Sequence, residues 1–91
     1  MIRIIFRKEA EADLRDIISY YEDVAPASVS NILSDIYRSI DQLIHFPRLG
    51  MQIEGRTYRR VVTLKYHFKV AYEVNDNIVI LGIFRYQDRV I

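Results

Sequence analysis

Residues 66–74 carry the clearest pattern of the chain, because every second residue is aromatic or β-branched and most of the residues between are polar. A period of two predicts a β-strand with one face toward a core and one toward solvent. Asn75, Asp76 and Asn77 then interrupt the pattern with residues that tolerate tight turns. Residues 78–84 follow at once and are apolar except for Gly82. The two runs predict a hairpin whose second strand is covered on both faces and flanked on both sides.

The first half of the chain predicts a short strand and two amphipathic helices. In residues 2–6 every second side chain is apolar, with Ile5 apolar as well, which indicates a strand. From Lys8 onward the apolar residues recur at helical spacing, up to a stop at Ala25 and Pro26. The second helix is predicted from Pro26 to a stop at Phe46 and Pro47. The apolar stripe of the first helix comprises Ala10, Leu14, Ile17, Ile18 and Tyr21, and that of the second comprises Val29, Ile32, Leu33, Ile36, Ile40, Leu43 and Ile44.

These elements predict an α+β fold of order β-α-α-β-β-β. Residues 47–57 are predicted to be a loop and residues 58–64 a strand, so strands 58–64, 66–74 and 78–84 form a meander with strand 2–6 beside the last. The short link between the helices predicts an antiparallel helix hairpin, packed on one face of a largely antiparallel sheet. The direction of the first strand stays open. The core is predicted to join Val70, Tyr72, Ile80 and Ile83 to Leu14, Ile17, Ile36 and Ile40.

Length and composition restrict the class of protein. The 91 residues predict one domain spanning residues 1–91, and a hydrophobic fraction of 51% is enough for a packed core. The absence of cysteine excludes disulfides and thiolate metal sites. Charge appears too early for a signal peptide, and no apolar run reaches membrane-spanning length. We therefore expect a soluble, cytoplasmic protein that does not act at a membrane.

The near-neutral net charge conceals two unlike halves. Residues 1–45 hold five basic and eight acidic side chains, a net charge of −3, whereas residues 46–91 hold eight and four, a net charge of +4. This charge asymmetry reflects either two ordinary solvated faces or a basic face of the sheet that is directed at an anionic partner. The cations of the predicted strands and their ends, with two nearby tyrosines, are Arg59, Arg60, Lys65, Lys69, Arg85, Tyr66 and Tyr86.

Few side chains offer catalytic chemistry. His67 is predicted on the polar face of the hairpin, where it is either a general base or a plain surface residue. His45 ends the second helix, where a protonated imidazole favours the helix dipole. No spacing indicates a metal site, a phosphate-binding glycine loop or a nucleophilic serine. Tyr20 and Tyr37 flank the helix stripes, so they either fill the seam between the helices or lie partly exposed.

A set of residues follows a characteristic order along the chain. It comprises Ala10, Asp13, Leu14 and Ile17 in the first helix, Leu43 near the end of the second, Phe46, Pro47, Leu49 and Gly50 after it, then Arg59, Arg60, Tyr72, Ile83, Phe84 and Arg85. In this order and spacing the chain resembles, over nearly its whole length, the RelE/ParE superfamily of toxins from bacterial toxin–antitoxin pairs. The resemblance implies a strand, a helix hairpin and an antiparallel sheet.

The superfamily divides by target. Its RelE-like members cut messenger RNA on the ribosome, and the resemblance puts their strand arginine at Lys69 and their last-strand arginine near Arg85. The nuclease alternative also includes His67, the possible general base. Their C-terminal tyrosine has no counterpart here, and lysine lacks the planar fork of arginine. ParE-like members, which resemble this chain better at residues 47–50 and at Arg59 and Arg60, poison DNA gyrase by binding and perform no chemistry.

The sequence therefore favours a non-enzymatic toxin directed at DNA gyrase and neutralised by a cognate antitoxin, with no cofactor, metal or small-molecule substrate. The alternatives are a ribosome-dependent mRNA endoribonuclease and an inactive member that only binds antitoxin. The candidates for target binding are Arg59, Arg60, Lys69, Arg85 and Tyr86. The candidates for antitoxin binding are Tyr20 and Tyr37.

Overall fold

Two helices and a five-stranded sheet make up the part of the chain, residues 2–85, that the computed structural model describes. A single 3₁₀ turn at Pro26–Ser28 joins the helices. No helix in that part is long and apolar enough to cross a membrane. The elements in chain order are β1 (Ile4–Phe6), α1 (Lys8–Val24), α2 (Val29–His45), β2 (Met51–Gln52), β3 (Arg59–Val62), β4 (Lys69–Val74) and β5 (Ile78–Phe84).

The strands lie in the order β1-β5-β4-β3-β2, which confirms the predicted meander and the predicted neighbour of the last strand. β1 runs parallel to β5, and the other three pairs are antiparallel. This settles the direction of β1, which the sequence left open. The prediction of a plain loop over residues 47–57 is wrong at Met51 and Gln52, which pair with Arg60 and Arg59 as a fifth strand.

The predicted strands 58–64 and 66–74 are both too long, because residues 63–68 form a turn between β3 and β4. The carboxylate of Asp35 on α2 accepts hydrogen bonds from the backbone N–H groups of Lys65 at 3.1 Å and Tyr66 at 2.8 Å. These bonds hold the turn against α2. His67, predicted on a strand face, instead lies in this turn with φ of 60°, in the left-handed region.

The core lies between the helices and one face of the sheet. All the predicted core residues are buried except Leu14, which is partly buried and packs against the cluster. The expectation that β5 is covered on both faces is wrong in part, since Val79 and Leu81 are only half-buried. A register shift makes Tyr72 pair with Ile80 but Ala71 with Gly82, so Leu81 is an extra residue in β5. Such a bulge lets Ile80 and Ile83 face the same core.

The edge of β5 beyond β1 is covered by α1. The pairing of β1 with β5 ends at Phe6 and Ile80, and the N–H of Arg7 donates to the carbonyl of Ile80 at 3.0 Å. Further along, the N–H of Ile83 donates to Oδ2 of Asp13 at 3.1 Å. A carboxylate on the helix thus satisfies a strand group that would otherwise face outward, which keeps this edge from pairing with another chain.

Candidate protein-interaction surfaces

The loop that follows α2 is fastened to the sheet by Tyr72. Its hydroxyl donates to the carbonyl of Pro47 at 2.8 Å and accepts from the N–H of Gly50 at 2.8 Å. A Cβ at Gly50 would lie 2.7 Å from that hydroxyl and 2.8 Å from the carbonyl oxygen of Arg60. Residue 50 therefore has no room for a side chain, because the loop lies directly against β3 and β4 at this point.

Burial raises the pKa of Tyr72, and this effect exceeds the opposing ones of the Gly50 N–H and the Arg59 charge, which lower it. The phenol therefore keeps its proton at neutral pH. A protonated hydroxyl can donate to Pro47 while it accepts from Gly50, so the bridge from the strand to the loop is complete.

Arg59 serves the same loop. Its Nη1 donates to the carbonyl of Gly50 at 2.8 Å and to that of Arg48 at 3.4 Å, and the residue is half-buried. Its pairing with Tyr72 puts Arg59 on the face of the sheet that carries the core. The guanidinium of this candidate for target binding is thus engaged in holding the backbone of residues 48–50.

Arg60 and Lys69 are brought together on the other face of the sheet. Arg60 pairs with Ala71, two residues along β4 from Lys69, and Lys69 lies between Val62 and Phe84 in the ladder. Residues that pair across strands share a face, and so do residues two apart on a strand. The outer face, as we call the surface formed by Arg60, Val62, Lys69 and Phe84, therefore combines two cations with two apolar side chains.

Arg85 is directed toward α1. Its guanidinium carbon lies 4.3 Å from the ring centroid of Tyr20, a distance typical of a cation–π contact. The ring of Tyr20 also meets that of Tyr21 edge-on, at 4.9 Å between centroids. Tyr37 lies on α2 with its ring 6.4 Å from that of Phe6. Both antitoxin candidates, Tyr20 and Tyr37, are exposed, which decides between the two placements that the sequence allowed.

The three residues of the nuclease alternative lie near one another along the backbone, because Lys69 pairs with Phe84 beside Arg85 and follows His67 by two residues, but they belong to different local structures. His67 is in the turn before β4, Lys69 is in the sheet ladder, and Arg85 stacks on α1. Tyr86, another candidate for target binding, lies outside the described residues.

Sequence reasoning missed Asp35, which is buried and organises the turn of residues 63–68. A signal was present, because Asp35 follows Ile32 by three residues and precedes Ile36, on the apolar stripe of the second helix. A buried carboxylate requires hydrogen-bond donors, so its position on the stripe indicates a tertiary contact. The identity of those donors could not be read from the sequence.

An apolar concavity of about 570 Å³ was also missed, lined by Phe46, Pro47, Arg48, Leu49 and Val74. Phe46 is 63% exposed, which is a large exposure for a phenylalanine. Phe46 and Leu49 lie next to Pro47 and Gly50, the two residues whose backbone Tyr72 holds, so the concavity adjoins the fastened part of the loop.

Comparison with known proteins identifies one matching family. Residues 4–89 match the family model described as the ParE toxin of the type II toxin–antitoxin system, parDE. No curated protein matches the chain at a significant level.

Solved structures share the fold over nearly the whole chain. A chain of the chromosomal ParDE toxin–antitoxin system from P. aeruginosa is 23% identical, with coverage of 96% of this chain and 98% of that one, at a TM-score of 0.81. A chain of the intact RelBE toxin–antitoxin complex from E. coli is 8% identical, with coverage of 98% of this chain and 100% of that one, at a TM-score of 0.65. A conserved hypothetical protein from Helicobacter pylori is 13% identical, with coverage of 97% of this chain and 98% of that one, at a TM-score of 0.62. The α+β fold implied by the resemblance is confirmed.

Proposed function

The chain belongs to the ParE toxin family of type II toxin–antitoxin systems, and we propose that it arrests growth by binding and poisoning DNA gyrase. The observation that carries this proposal is the family match, which extends over residues 4–89. The resemblance seen in the sequence at residues 47–50, Arg59 and Arg60 pointed to the same branch of the superfamily.

The outer face supports action by binding. Arg60 and Lys69 lie there beside Val62 and Phe84, so cations and apolar side chains are interleaved on one surface. Protein interfaces commonly combine an apolar centre with charges that fix orientation and speed encounter. We assign Arg60 and Lys69 to contact with the target.

The positions of the cations also favour binding over cleavage of RNA. A nuclease must direct its cations at one scissile phosphate to stabilise the charge that develops in the transition state. Lys69 belongs to the outer face, whereas the Arg85 guanidinium is stacked on Tyr20 of α1. Lysine in place of arginine also loses bidentate recognition of a phosphate.

A cognate antitoxin is the second partner that we propose. Two structural relatives come from a ParDE toxin–antitoxin system and from a RelBE toxin–antitoxin complex. On this chain, Tyr20 and Tyr37 present exposed rings on the two helices. Tyrosines contribute large contact area at low entropic cost, and we assign both to contact with an antitoxin that binds as an amphipathic helix or an added strand laid over the helices and the sheet.

Expression without the antitoxin tests the proposal in cells. Growth should stop with induction of the DNA-damage response before protein synthesis falls, and co-expression of the antitoxin should restore growth. Arrest with an immediate fall in translation and no DNA-damage signal would contradict the gyrase proposal and favour the ribosome as target.

A further inference from the structure

The turn between β3 and β4 presents Leu64 to solvent. Leu64 is 82% exposed, more than any other large hydrophobic side chain among residues 2–85. Exposure of one leucine is ordinary, but this leucine sits at the tip of a turn whose backbone is fixed. The feature that needs an explanation is this combination of an apolar tip with a rigid base.

The base of the turn is fixed from two directions. From α2, the carboxylate of Asp35 accepts the N–H groups of Lys65 and Tyr66. From within the turn, Thr63 is fully buried and its Oγ1 accepts the N–H of Phe68 at 2.9 Å. The N–H of Thr63 also donates to the carbonyl of Phe68 at 2.9 Å. Leu64 is therefore displayed on a preorganised support, which lowers the entropic cost of binding through it.

Two cations flank this tip. A groove of about 350 Å³ between the turn and α2 is lined in part by Arg38, Gln42, Leu64 and Lys65. The carboxylate of Asp35 also lines it, but that group is already bonded to two backbone N–H groups. The surface around Leu64 therefore has positive charge to offer a partner.

We propose that Leu64 is an anchor for the toxin's target: it inserts into an apolar pocket of a globular protein whose acidic rim meets Arg38 and Lys65. The inference rests on the proposed function, in which that protein is DNA gyrase. A leucine buried in a partner's pocket gains hydrophobic stabilisation, and charges at the rim select orientation.

The exposure of Leu64 and the polarity of its surroundings favour a globular target over the antitoxin as the occupant. Leu64 borders the groove but is 82% exposed, so most of its side chain is free to enter a pocket of a partner. The other residues that line the groove are polar or charged, which suits the rim of a partner surface better than a site for a buried apolar anchor of the antitoxin.

The test compares Leu64→Ser with the wild-type protein in inhibition of supercoiling by DNA gyrase holoenzyme and in growth arrest at equal expression. The substitution should raise the half-inhibitory concentration about tenfold or more, as expected when a buried anchor is lost. Leu64→Met, which keeps an apolar tip, should stay within about threefold of wild type. Val24→Ser is the matched control, because Val24 is 56% exposed at the end of α1.

Arg38→Gln with Lys65→Gln should weaken inhibition about tenfold, chiefly at low salt, because rim charges act through screened attraction. Thermal unfolding midpoints should match wild type for all four variants.

The outcomes separate the inference from the proposed function. If Leu64→Ser inhibits gyrase and arrests growth like wild type, the inference is wrong. Should that variant in addition no longer bind a cognate antitoxin, Leu64 contacts the antitoxin and not the target. If the wild-type protein arrests growth without inhibiting gyrase, the gyrase proposal fails. Loss of arrest by Leu64→Ser alone would then still support an anchor for another target.

Discussion

The backbone N–H of Gly50 and the hydroxyl of Tyr72 are joined by a 2.8 Å hydrogen bond between the loop after α2 and the middle of β4. The carbonyl of Pro47 accepts from the same hydroxyl. One buried side chain thus fixes the loop of residues 47–50, where the sequence resembles the ParE-like members of the superfamily. The arrangement couples the stability of the core to the shape of a surface.

Tyr72→Phe should lower the free energy of unfolding by about 1–3 kcal/mol, because it leaves the Gly50 N–H and the Pro47 carbonyl without their partner. Urea denaturation followed by far-ultraviolet circular dichroism measures this directly. Tyr37→Phe, at an exposed ring, should change it by about 0.5 kcal/mol or less. Equal effects of the two changes would show that the bridge does not stabilise the fold.

Alkaline pH should destabilise the wild-type protein more than Tyr72→Phe. The pKa of Tyr72 is raised in the folded state, chiefly by burial, whereas an unfolded tyrosine ionises at about pH 10. The folded state then binds more protons, so stability is fully present below the unfolded pKa and falls as pH rises through the folded pKa. Unfolding measured from neutral pH to above the unfolded pKa should show this fall. Parallel curves for the two proteins would contradict it.

Asp35→Asn should destabilise the turn of residues 63–68. An amide offers one acceptor oxygen to two N–H donors, and its NH₂ group would face the second donor. The expected loss is about 1–3 kcal/mol of unfolding free energy. Asp41→Asn on the exposed side of the same helix removes the same charge and should have little effect. Faster amide exchange at Lys65 and Tyr66 in Asp35→Asn alone would locate the loss in the turn.

Arg59→Gln and Arg60→Gln should differ although the two residues are adjacent. Arg59→Gln removes charge-assisted bonds to the loop carbonyls and should cost about 1–3 kcal/mol of stability. Arg60→Gln should leave stability within about 0.5 kcal/mol and weaken toxicity through lost contact with the target. The pair of measurements, unfolding and growth arrest, separates a role in folding from a role in binding. A stable Arg59→Gln protein with reduced toxicity would reassign Arg59 to target contact.

The features that could be predicted from sequence are those set by local pattern. Alternation identified the β4–β5 hairpin, and helical spacing identified the residues of α1 and α2 that face the core. The turn at residues 63–68 could not be predicted, because it is held by hydrogen bonds to Asp35, which precedes Lys65 by 30 residues in the sequence. The two-residue strand β2 carries too short a pattern to detect and exists through its pairing with β3.

The candidate site was predictable in composition but not in geometry. Arg59 and Arg60 look alike in the sequence, and only the sheet register shows that one faces the core and the other the outer face. The contact of Arg85 with Tyr20 depends on how α1 lies along β5, which no local pattern encodes. Leu64 ends the predicted strand of residues 58–64, because its neighbour Thr63 is β-branched and such residues favour strands. The observed strand β3 ends two residues earlier, at Val62.

The central claim is action on gyrase by binding, and it is tested most directly by adding the purified protein to gyrase with relaxed plasmid and, in parallel, to translating ribosomes. We predict inhibited supercoiling or trapped cleaved DNA, with messenger RNA left intact. Lys69→Ala and Arg60→Gln should weaken the gyrase effect as losses of affinity. Codon-positioned cuts in messenger RNA, with supercoiling unaffected and with cleavage abolished by Lys69→Ala or Arg85→Ala, would contradict the claim.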